Sequence, residues 1–221
     1  MSSTSIRKLN NQLGEMLRIS QRSVDYATKA YASGRAEFAQ QAQHERQELD
    51  KVVHKIFAST AGSYEDKEAD DTQMSYREVV RSISLALLTT CRYAHEVSLH
   101  AAALTRNGVF QRSHDVLRMG ERVNGLMRLC IVAVMNKDPE HAKTVLRNID
   151  NCNFDFAGKT RKESAAGSIA FPGHFQERII ANSFQRMIEN VRTIASVVAC
   201  YCHSLKRISA VGQSHGILQA S

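Results

Sequence analysis

Apolar side chains recur along this chain in steps of three and four, the spacing that lines up one face of a helix. The longest such stretch, Phe175 to Leu205, carries Phe175, Ile180, Phe184, Met187, Ile188, Val191, Ile194, Ala195, Val198, Cys202 and Leu205. Its stripe covers about 30 residues, or ~45 Å at 1.5 Å per residue, so it needs partner helices of similar length. The rest of the chain supplies them. A first helix is predicted from about Ser5 to Ser33, with Ile6, Leu9, Leu13, Met16, Ser20, Val24, Ala27 and Tyr31 on one stripe and Gly34 as its stop. The second carries Phe38, Ala42, Leu49, Val53 and Ile56 around a very polar middle, so only a thin face can be buried. After an acid-rich loop, Ser59 to Thr72, a third runs from about Gln73 to Arg106 and is broken by Asn107-Gly108. A fourth is predicted over Ser113 to Asn136. Lys137-Asp138-Pro139 then turns into a fifth, with Pro139 at its first position and a stripe from Ala142 through Ile149 and Cys152 to Phe156. The segment Lys162 to Gly173, with Gly167 and Pro172, leads to the sixth.

Two halves built to one plan suggest duplication. Met16 to Ala39 lies without gaps on Met119 to Ala142, with Met16/Met119, Ala30/Ala133, Glu37/Glu140 and Ala39/Ala142 identical. In the third helices, the segment Arg92 to Val97 is set on Arg186 to Val191. The expected fold is all-α, two tandem three-helix bundles, with short connections forcing antiparallel neighbours. Residues 1–107 form the first repeat, 108–207 the second and 208–221 a C-terminal tail.

Composition agrees with this picture. Of 221 residues 43% are hydrophobic and 23% charged, with two prolines and no Trp, a balance that favours soluble helices. The longest apolar run, Leu129 to Met135, is far too short to span a bilayer, and the first residues lack the apolar core of a secretory signal. Five cysteines (Cys91, Cys130, Cys152, Cys200, Cys202) without framework spacing read as reduced thiols. The net charge of +7 permits nucleic acid, anionic lipid or an acidic protein as partner. No basic run exceeds two residues and none alternates with aromatics, so nucleic acid is not signalled.

Segments MLRISQRSVDYATKAYASGRAEFAQQAQHERQELDKVVHKI and MGERVNGLMRLCIVAVMNKDPEHAKTVLRNID, with third helices centred on Arg92-Tyr93-Ala94-His95 and Arg186-Met187-Ile188-Glu189, resemble the PhoU family of phosphate-uptake regulators. The resemblance spans residues 7 to 203 and rests on pattern. It implies a cytoplasmic, non-enzymatic regulator at the inner face of the membrane. Such a protein would contact a phosphate transporter or its ATPase, or a sensor histidine kinase; the duplicated plan also suits a homo-oligomer. The family carries an acidic pair spaced by four on each third helix, able to build metal sites. Here the matching positions are Cys91 and His95, then Gln185 and Glu189, and only Glu189 is a carboxylate. The family's carboxylate cluster is therefore not expected, and the question of a metal ligand narrows to His95 and Glu189.

Other candidate chemistry is sparse. Cys91-x3-His95 has a zinc-compatible spacing, but Cys91 falls on the apolar stripe, where a small buried thiol needs no function. Cys200 and Cys202, two apart on a helix, point about 200° apart. His95 and Glu189 occupy matching positions and could face each other across the repeat axis. No catalytic residue, cofactor site or metal site is assigned. The readings opposed to a regulator are a metal-binding helical protein and a basic helical nucleic-acid binder.

Overall fold

In a computed structural model, residues 3–60, 76–109, 111–151 and 174–218 are described, and they form six helices without strands. These are α1 (Ser3–Ser33), α2 (Ala36–Thr60), α3 (Tyr76–Arg106), α4 (His114–Asn136), α5 (Pro139–Asp150) and α6 (His174–Leu218). Helices α1, α2 and α3 pack on one another, as do α4, α5 and α6; the two bundles meet along α3–α6 and α1–α4. The predicted stripes are the buried faces. Met16, Leu17, Val24 and Tyr31 of α1, Leu87 and Cys91 of α3, Met127 and Cys130 of α4, and Phe184 and Met187 of α6 are all inaccessible to solvent or nearly so. They form one core continuous through both bundles. Burial of such large side chains, at roughly 1.5–3 kcal/mol each, is what holds a helix this long against its neighbours.

The first connection of each repeat is built from local chemistry. Gly34 ends α1 with φ +69°, its N–H donating to the Ala30 carbonyl at 2.8 Å. Lys137 ends α4 with φ 51°, and the following Asp138 N–H returns to Ala133 O at 2.9 Å, the double closure of a Schellman cap. Asp138 then caps α5, accepting from the N–H groups of Glu140 and His141, with Pro139 at the first helical position.

Two boundaries differ from expectation. Helix α5 closes at Asp150, with Asn151 N–H bonded to Arg147 O, rather than running on to Phe156; Cys152 and Phe156 lie outside the described residues. Helix α6 continues to Leu218 instead of ending at Leu205, so residues expected as a tail prolong its backbone. Loss of the apolar stripe is not a stop signal, and no proline interrupts the segment. The start expected at Gln73 and the loops Ser59 to Thr72 and Lys162 to Gly173 fall largely or wholly outside the described residues.

The duplication is visible in burial, with one revision of register. On α1 and α4 the sequence register holds: Met16, Leu17, Ser20, Ser23, Val24, Ala27, Ala30 and Tyr31 are buried, and so are their matches from Met119 to Val134. On α3 and α6 it does not. Setting Arg92 on Arg186 places buried Cys91 and Ser98 on exposed Gln185 and Arg192. Sliding α6 by three residues puts Cys91, Ala94, Val97, Ser98 and Ala101 on Ile188, Val191, Ile194, Ala195 and Val198, all buried. Exposed Leu85, Arg92 and Leu99 then meet Asn182, Glu189 and Ser196. A stripe with steps of three and four nearly superposes on itself after one turn, so a few identities cannot choose between the registers.

The α1–α4 crossing is close because of Gly120. A Cβ there would lie 2.9 Å from the Phe184 ring and 3.0 Å from Thr28. Beside it, Asn124 Nδ2 donates to Thr28 Oγ1 at 3.0 Å. Gly120 is thus a packing residue between helices.

Candidate functional site

The third helices of the two repeats run antiparallel, and two polar contacts pin them. Ser183 Oγ donates to Glu96 Oε2 at 2.9 Å, and Asn190 Nδ2 donates to Thr90 Oγ1 at 3.2 Å. Along one flank of this seam lies an open groove of about 500 Å³, lined by Tyr93 and Glu96 from α3 and by Asn182, Gln185, Arg186 and Glu189 among others from α6. Its charged groups are already engaged: Glu96 by Ser183, and Glu189 by Arg186 at 3.0 Å across one helical turn. The groove offers amides, carboxylates and one guanidinium to an incoming polar surface.

Glu189 belongs to this groove, and His95 points elsewhere. The His95 ring packs on the α2 side of α3, where burial and the nearby Arg46 charge hold its pKa below the usual imidazole range. Its Nδ1 is buried and has no hydrogen-bond partner among the described residues. The structure does not set His95 and Glu189 at matching positions: in the revised register Arg92 is the equivalent of Glu189, which pairs with Arg186 in the groove, while the charge nearest His95 is Arg46 of α2. Cys91 faces α1: its Sγ lies 3.5 Å from Ser20 Oγ, and burial pushes the thiol up to about 11. Cys91 is thus turned toward α1, whereas the charge nearest the His95 ring is Arg46 of α2. Among the described residues, no group of three His, Cys, Asp or Glu side chains is placed to hold a metal. Cys200 is exposed, whereas Cys202 is buried and its Sγ donates to Lys137 O at 3.1 Å.

A second polar constellation joins the two repeats where the chain crosses between them. Tyr31 OH, at the end of α1, donates to Glu177 Oε1 in the first turn of α6 at 2.8 Å. The Ser113 N–H, at the start of α4, is shared between the Tyr31 oxygen at 2.9 Å and Glu177 Oε1 at 3.1 Å. Arg112 stacks over the Tyr31 ring, donates from Nε to Tyr31 O at 2.9 Å and from Nη2 to Thr105 Oγ1 at 2.6 Å, and also bonds Val109 O. Burial first, then the Glu177 charge, pushes the Tyr31 phenol far up. The sequence does not announce this latch because Tyr31, Ser113 and Glu177 stand 64 to 146 residues apart. The one available signal was Tyr31 itself, a phenol on a buried stripe that must find a partner for its hydroxyl.

No described helix is long and apolar enough to cross a membrane. The fold is that of a solved protein, PhoU from Pseudomonas aeruginosa: 92% of this chain superposes on the whole of that one, with a TM-score of 0.75 and 16% identity. No protein-family model and no curated protein matches the chain. At this identity the likeness is one of fold.

Proposed function

We propose that the chain is a PhoU-like, non-enzymatic regulator of phosphate uptake and phosphate signalling. It works in the cytoplasm, against the inner face of the membrane, by contact with a phosphate transporter, its ATPase or a sensor histidine kinase. The observation that carries this reading is the superposition of the entire solved PhoU chain on 92% of this one. The geometry suits a contact mechanism. Two bundles share one core, and the α3–α6 seam offers a partner an open groove of mixed polar and apolar lining. A regulator of this kind biases its partner's state by binding one conformation better than another. The test is isolation of the tagged protein with solubilised membranes from cells held at high and at low phosphate, beside a deletion strain. Enrichment of a phosphate transporter, its ATPase or a sensor kinase in one condition, with altered phosphate-responsive expression in the deletion, is the expected result. Identical partners in both conditions and an unchanged phosphate response would leave only the fold.

A further inference from the structure

We draw no further inference here: the strongest candidate, the open groove between Tyr93 and Glu96 of α3 and Gln185 and Glu189 of α6, belongs to the site already described, and nothing in the structure shows what fills it.

Discussion

The two ends of the molecule occupy matching places in the duplicated plan, yet they are closed by different chemistry. At one end α1 finishes at Gly34 beside the crossing between repeats; at the other α4 finishes at Lys137, the same position of the second repeat. Both residues are left-handed, with φ +69° and 51°. Gly34 has no room for a side chain, since a Cβ would stand 2.2 Å from Thr105 Oγ1 and 3.0 Å from Arg112 Nη2. Lys137 has room, and uses it: its Nζ sits 4.6 Å from the centre of the Tyr76 ring, which in turn packs on Tyr201. The first end is a hydrogen-bonded latch of Tyr31, Glu177, Ser113 and Arg112. The second is an aromatic and cationic stack, with Tyr76 OH bonded to Asn10. One backbone geometry thus tolerates two closures, and the neighbours decide which side chain it accepts.

The sharpest way to break this comparison is at the glycine. Gly34→Val forces a β-branched residue into left-handed backbone and displaces the Thr105–Arg112 hydrogen bond, so it should cost about 3 kcal/mol or more, read as a fall in chemical-denaturation midpoint. Gly108→Ala is the control: φ is +72° but nothing lies within 4 Å of the added Cβ, and only the backbone cost of about 1 kcal/mol should appear. Equal losses at both sites would show that the latch contributes nothing beyond conformation.

Removing single hydroxyls should give smaller effects. Tyr31→Phe leaves Glu177 with only the Ser113 N–H of the two latch donors and should cost about 2 kcal/mol, whereas Tyr76→Phe, at the half-buried stack, should cost about 1 kcal/mol or less. Equal losses would make the two ends equivalent, and a reversed order would make the stack the stronger closure.

Alkali should report on both ends together. Burial raises Tyr31 far above its ordinary pKa of 10.0 and pushes Tyr76 up to about 12. The unfolded chain therefore loses these protons first, and unfolding free energy should fall as pH rises from 10 toward 12. Buried Cys91 and Cys130, at about 11 and about 12 against an ordinary 9.0, add a loss of the same sign that begins lower. A Tyr31→Phe, Tyr76→Phe chain should show a visibly flatter decline above pH 10 in urea melts at stepped pH. An unchanged slope would mean that neither phenol is held in its neutral form.

The smallest change belongs at Lys137. Lys137→Gly relieves left-handed strain of about 1 kcal/mol and loses a cation–π contact of about 0.5–1 kcal/mol, for a net near zero. Lys137→Ala keeps most of the strain and loses the contact, and should cost somewhat under about 1 kcal/mol. A gain in stability with Ala would remove the stack from the account of this end.

Much of the architecture could be read from the chain, because the signals are local. Stripes in steps of three and four, Gly34, Asn107-Gly108 and Asp138-Pro139 each act within a turn or two of helix, and they mark six helices and the plan of the repeat. The match of Met16 on Met119 survives in the burial of α1 and α4 because both helices face equivalent cores. The match of Arg92 on Arg186 does not. Nothing local distinguishes a stripe from itself one turn along; only the side chains packed against α3 and α6 choose.

The groove and the latch were legible only in fragments for a related reason. Glu189 could be singled out, but its neighbours Tyr93 and Glu96 come from another helix, and His95 turns to α2 once the register is set. Tyr31 announced a need for a partner without naming Glu177. The sequence by itself determined that this chain folds as helices, where most of them turn, and that it does so twice, since each of these follows from propensity and periodicity over a few residues. Tertiary structure decided the register of the third helices, which polar groups meet across the seam, and what closes each end. Those depend on side chains brought together from 64 to 146 residues apart, as in the latch, and no pattern along the chain encodes which of several similar faces will meet.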